Sequence, residues 1–157
     1  MQFTLSPDIE AKRLAIRKFV DERLIPLERD RASYDAHENI QHGLLAELRQ
    51  ETSAMGIWAL QSPKARGGGG MKMAEQAVLY EEMNRSIFGP GCFNCAAPDD
   101  GNMRVMAQVA TKAQQDWWLQ PVIDGKKNSS FIMTEPMDED GAGCGSDPSL
   151  TNTEAVR

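Results

Sequence analysis

Apolar positions recur at helical spacing through most of the chain and lose that period near the end. Ile9, Ile16, Val20, Leu24 and Leu27 fall on one helical face. Ser6 can cap that helix, Pro7 suits its first position, and Asp8 and Glu10 stand where the dipole favours acid. Pro26 is expected to end or kink it, and the polar residues 28–38 read as a connection. A second helix is expected over residues 40–54, with Leu44, Leu45 and Leu48 on one face and Gly56 as its stop. Ile57-Trp-Ala-Leu60 must be buried, and residues 62–70, ending in four glycines, form a loop.

A third helix is expected over residues 73–84, followed by a Gly- and Pro-interrupted stretch over 86–100. Met103, Val105, Met106 and Val109 suggest a fourth. Thr111 with Gln114 makes a capping box for a fifth, carrying Trp117, Trp118 and Leu119. Adjacent tryptophans point different ways, so one is expected in the core and the other against a neighbouring domain or subunit. Residues 121–127 read as a turn. Residues 129–134 then read as a strand, with another short strand near Thr153. The fold class expected is mainly α, helices first and then the onset of β structure. A lone strand or hairpin is not stable, so these last residues either pack on the helices or belong to something larger.

Composition narrows the function. Seventeen basic and 23 acidic side chains give a net charge of −6, which argues against nucleic acid as the main partner. No apolar run reaches the length of a membrane span, and the first residues carry neither a secretory signal nor an Arg-rich presequence. Three cysteines, an odd count, suggest reduced thiols in a cytoplasmic protein. Cys92-Phe-Asn-Cys95 is a CxxC, but Cys144, His37 and His42 complete no zinc set with it, and two buried thiols are the simpler reading. The run Gly67 to Gly70 lacks the GxxxxGK[ST] of a phosphate loop and reads as a tight turn. The nine methionines are gap-filling core residues. No Ser/His/Asp or Cys/His arrangement stands out.

Phe131-Ile-Met-Thr-Glu-Pro136, then Gly145-Ser-Asp-Pro-Ser149 and Thr153-Glu-Ala, resembles the signature of the acyl-CoA dehydrogenase family. The other matches arrive in the family's order. They are Phe3-Thr-Leu and the helix ending near Pro26, Met55-Gly-Ile-Trp58, Glu81-Glu-Met-Asn-Arg-Ser86, and the Thr111–Gly125 segment. Ala97-Pro-Asp-Asp-Gly-Asn102 looks most like the branch with large, phosphorylated or long-chain substrates. The resemblance implies a helical N-terminal domain over residues 1–127 and an incomplete start of the middle β domain over 128–157. It implies FAD as cofactor, an acyl-CoA thioester as substrate in fatty acid metabolism, electron-transfer flavoprotein as partner, and a homo-oligomer when complete.

The same resemblance places Phe131, Met133, Thr134, Gly145 and Ser146 at the flavin, and Ser146, Asn94 and Asp99 at the substrate. The family's catalytic base lies in its C-terminal region, so no carboxylate here inherits that role, and the chain reads as a fragment. Met137-Asp-Glu-Asp-Gly-Ala-Gly-Cys144 is longer and more acidic than the family's usual turn. Acid there is unfavourable beside a flavin pyrophosphate unless it faces solvent. A non-catalytic helical module with a protein partner, or a truncated chain without independent function, stays open beside the flavoenzyme reading.

Overall fold

The structure, a computed structural model, describes residues 4–136, 143, 145–154 and 156. Helix α1, Pro7–Phe19, starts as the sequence implies: Ser6 Oγ accepts from the Ile9 amide, and Ile9 and Ile16 are buried. It does not stop at Pro26. A wide turn over Val20–Leu24 carries it directly into α2, Ile25–Glu28, with the Ile25 amide reaching back to the Val20 carbonyl. Proline has no N–H to give an α-helical ladder, and its ring crowds the carbonyl four residues back. An i→i+5 turn opens the ladder by one residue and takes up that mismatch.

The same device recurs. The Thr111 box caps α7, Lys112–Gln114, which passes through a wide turn at Gln115–Leu119 into α8, Gln120–Ile123, across Pro121. The turn expected from residue 121 therefore begins only at Asp124, with Gly125 at φ +69°. Leu119 takes the core position in this helix. Trp117 and Trp118 are 65% and 56% exposed, edge-on to each other at 6.3 Å, so neither is a core residue.

Helix α3, His42–Ala54, begins two residues later than the pattern suggests, because Ile40 pairs with Tyr34 across a tight loop. The Asp35 carboxylate nucleates that loop by accepting from the His37 and Asn39 amides. Residues 57–62 then run through the core, and the glycine run folds back on them. The Met71 amide donates to the Leu60 carbonyl, and a Cβ at Gly68 or Gly69 would stand 2.4 or 2.8 Å from the backbone of Ser62 or Leu60. The run is a turn that only glycine permits. Arg66 fastens it to the last helix through Gln115, Asp116 and Gln120.

Helix α4, Met73–Met83, packs along α1; α5 is the short Gly89–Cys92; α6 is Asp99–Val109. One core gathers α1, α3, α4 and the 88–95 segment, with Phe93, Ile16, Leu24, Leu48 and Leu79 fully buried. A smaller one joins Ala59 and Met103 to Leu119, Val122 and Ile123. No helix among the described residues is long and apolar enough to cross a membrane.

Among the described residues neither expected strand is formed: residues 127–134 and 151–154 join no strand in their backbone pairing. A β-bridge, Glu135 to Gly145, links the end of the chain to itself. Backbone becomes a strand only when a neighbouring segment takes its N–H and C=O groups as a ladder; the Ser129 amide and the Ser130 carbonyl are taken instead by the side chains of Asp99 and Asn102. The acidic stretch 137–142 and Cys144 lie outside the described residues.

Glu82 ties α4 to α1. Its carboxylate is buried and takes Arg13 Nη1 at 2.7 Å, and Arg17 Nη2 and Nε at 2.6 and 3.0 Å. The Arg17 hydrogen bonds, above all, hold the Glu82 carboxyl below its ordinary value of 4.5, against the opposing effect of burial. A lowered folded pKa contributes stability that is present above 4.5 and lost as pH falls through the folded value. Glu82→Ala is expected to cost about 2–4 kcal/mol, the low end set by the wetted Arg17. Urea melts at pH 7 and pH 3.5 check this: the gap between wild type and variant should narrow at the lower pH.

Candidate functional site

The segment that follows the last helix is fastened at its start to α6. Asp99, first residue of α6 and almost fully buried, accepts from the Ser129 amide at 2.5 Å and from its hydroxyl at 2.6 Å. Asn102, one turn on, donates to the Ser129 hydroxyl at 2.8 Å and to the Ser130 carbonyl at 3.3 Å. The Ser129 hydroxyl thus donates to a carboxylate and accepts from an amide, satisfying both of its roles. A carboxylate at a helix N-terminus is also favoured by the exposed amides there.

Asn94 stands behind this clamp, turned inward. Its Nδ2 donates to the Val122 and Ile123 carbonyls at 3.0 and 3.1 Å, closing the end of α8. Gln61 donates to the Asn94 carbonyl at 3.0 Å and accepts from the Tyr80 hydroxyl at 3.1 Å. Cys95 Sγ lies 3.5 Å from the same Gln61 oxygen. Burial pushes the Tyr80 hydroxyl well up, the Cys92 thiol up to about 12 and the Cys95 thiol up to about 11. Both cysteines are buried and free. No group of three or more His, Cys, Asp or Glu among the described residues could hold a metal.

Beyond the clamp, Phe131 is 67% exposed and Ile132 90%, with Met133 and Thr134 also exposed. The Glu135 carboxylate turns away from solvent chemistry. It accepts from the Asn152 amide at 2.9 Å, the Thr153 amide at 2.6 Å and the Thr153 hydroxyl. Gly145, at φ +49°, bridges Glu135, so Thr134 and Ser146 approach each other at this closure. Ser146 is exposed, and Asp147 caps the following turn, Pro148–Leu150. The residues Phe131, Met133, Thr134, Gly145 and Ser146 therefore lie on one exposed end of the molecule. The side chains of Asn94 and Asp99 are engaged within the scaffold, on the end of α8 and on Ser129. The Asp99–Ser129 clamp left no trace in the sequence, because its partners are thirty residues apart and both types are common in loops.

The helices that carry this end match a known domain. A family model for the acyl-CoA dehydrogenase N-terminal domain covers residues 6–126. The chain belongs to the acyl-CoA dehydrogenase family. It is 33% identical over 141 residues to acyl-CoA dehydrogenase family member 10 of Mus musculus, covering 84% of this chain and 13% of that protein. It is 34% identical over 129 residues to family member 11 of Gallus gallus, covering 78% and 16%. A solved structure from Mycobacterium abscessus, assigned as an acyl-CoA dehydrogenase, matches with a TM-score of 0.78 and 34% identity over 94% of this chain and 38% of that one. The chain thus spans about an eighth to two fifths of the length of these relatives. Membership of the family implies FAD in the complete enzyme.

Two outcomes follow from this geometry. Asp99→Ala leaves the Ser129 amide and hydroxyl without their acceptor, a loss of about 1–3 kcal/mol. Trypsin cleavage after Lys126 and Lys127 should quicken by roughly tenfold or more while the helical circular dichroism holds; an unchanged rate would show that the segment is held elsewhere. The second outcome concerns the thiols. With its pKa near 11, Cys95 is about 0.1% thiolate at pH 8. Alkylation mapped by mass spectrometry should find Cys92 and Cys95 unmodified in native protein at pH 8 and modified in urea.

Proposed function

We propose that the chain supplies part of the FAD and acyl-chain site of a dehydrogenase that removes the α- and β-hydrogens of an acyl-CoA thioester. The observation that carries this reading is the exposed strip Phe131–Thr134, clamped to α6 just where the match to the N-terminal domain ends. On this reading residues 1–127 form the helical domain and residues 128–157 open the β domain.

When bound, FAD would supply the hydride-accepting chemistry, which belongs to the cofactor rather than to the protein. Phe131, Met133 and Thr134 would hold the ring system, the last two through backbone and hydroxyl, and Gly145 and Ser146 would hold the phosphates and the CoA side. Asp99, Asn102 and Asn94 act as positioning residues, holding the strip and the wall behind it. A misplaced strip is costly because catalysis depends on near-contact geometry. The α-proton requires a carboxylate within hydrogen-bond reach. Glu135 is committed to the 152–153 backbone, and no other carboxylate near the strip is assigned the role of base. Electron-transfer flavoprotein as electron acceptor, and assembly into a homo-oligomer, belong to the same proposal.

The test uses the 157-residue chain with and without FAD, and with the middle and C-terminal domains of a family member supplied as a second polypeptide. The chain alone is expected to bind little flavin, since few contacts are present to exceed the costs of ordering, and to reduce no dye with acyl-CoAs. The mixture should bind flavin and oxidise acyl-CoA, and Thr134→Val should weaken both. Stoichiometric flavin on the isolated chain, turnover lost on Glu135→Gln, or a mixture that does neither, would each overturn the proposal.

A further inference from the structure

A second site lies on the helical body, between α3 and the 123–128 turn. A groove of about 1120 Å³ opens there, walled by Trp58 and lined by Arg49, Arg66, Lys126 and Lys127 against a single carboxylate, Asp124. That local excess of positive charge stands against a chain whose net charge is −6. Two of the cations are already matched: Arg66 pairs with Asp116 at 3.0 Å and Lys126 with Asp124 at 2.8 Å. Arg49 and Lys127 are not. Among the described residues, neither forms an ion pair.

Arg49 is the informative member. It is half-buried, and its Nε and Nη1 donate to the Gly91 and Gly125 carbonyls at 3.1 and 3.4 Å. A guanidinium has five N–H donors in a rigid fork, so three remain for the groove. Burial without a carboxylate destabilises the cation and lowers its pKa. A half-buried, planar donor set without an anion is matched best by a planar or tetrahedral oxyanion. Lys127, exposed, adds a second cation to the lining. Trp58 is fixed in the wall by its Nε1 bond to the Ile123 carbonyl at 2.7 Å, with its ring edge against Gly125.

We propose that this groove binds a phosphate-bearing ligand, with the phosphates held by Arg49 and Lys127 beside Trp58. The proposal is independent of the dehydrogenase reading. Phosphate oxygens accept two parallel N–H bonds from the Arg49 fork, and Lys127 neutralises the remaining charge. The source is either a free di-oxyanion such as pyrophosphate or a nucleoside diphosphate, whose base could lie on the indole.

The experiment titrates the 157-residue chain with pyrophosphate and, separately, with ADP. Isothermal calorimetry is read together with Trp58 fluorescence in a Trp117→Phe, Trp118→Phe background. Saturable binding that weakens with added salt is expected. Lys127→Gln, a change at an exposed side chain, should weaken it by roughly twofold to fivefold. Arg49→Lys, which keeps the charge and loses the fork, should weaken it further. ADP binding tighter than pyrophosphate places the base on Trp58; equal affinities assign binding to the phosphates alone. No saturable binding of either probe, affinities untouched by both variants, or preference for an acidic peptide over both probes would each overturn the proposal.

Discussion

Residues 92–95 impose the constraint around which the molecule is arranged. All four are buried, yet after α5 ends at Cys92 their carbonyls have no helix or strand to satisfy them. A buried carbonyl without a partner costs as much as a lost hydrogen bond. The first three are met by α3 and the 57–62 run. Thr52 Oγ1 of α3 donates to the Cys92 carbonyl at 2.7 Å, the Ala59 amide to Phe93 at 2.9 Å, and Gln61 to Asn94 at 3.0 Å. Asn94 returns the bond to the end of α8, and the Phe93 ring packs edge-on to Phe19 of α1 at 5.7 Å. One irregular segment thereby fixes α1, α3, the 57–62 run and the last helix relative to one another. It also explains the CxxC: the two thiols are carried inside by the segment they flank.

The helices were legible because their signals are local. The Ser6 cap, the Thr111 box and the Gly56 stop each depend on residues within one turn, and all three act as their types imply. The prolines were read too strictly. Pro26 and Pro121 each remove an amide that an α-helix needs, which is why an end or kink was the natural expectation. The helix instead widens one turn earlier, and its continuation is stabilised by packing of Leu24 and Leu119, both without exposure. Burial of an apolar side chain is worth about 1.5–3 kcal/mol, comparable to the penalty of proline in a helix. Tertiary packing decides such a contest, and no local pattern reports it.

Long-range polar contacts were not legible. Glu82 looked like one carboxylate among many on an amphipathic helix until α1 brought Arg13 and Arg17 against it. Asp99 sat in a Pro- and Asp-rich stretch that read as a ligand wall, whereas Ser129 takes its carboxylate. Arg49 was an unremarked charge on a helix face; only the turn at Gly125 shows that it is half-buried without a carboxylate. Residues 129–134 read as a strand, and none is formed there, because strand formation is a property of a pair of segments.

The clamp and the exposed strip make physical sense together. Leaving Phe131, Ile132 and Met133 in water forgoes several kcal/mol at about 1.5–3 kcal/mol for each large side chain. A chain that spends nothing else on this strip would leave it free to move, and any surface that later covered it would have to meet the ordering cost of every residue, about 1–2 kcal/mol each for the backbone alone. Asp99 and Asn102 fix the first two residues of the segment in advance, and Glu135 fixes its far end against 152–153. The strip is thus held at both ends while its apolar middle stays open. That combination lowers the ordering cost for whatever surface closes over it while leaving the apolar gain uncollected.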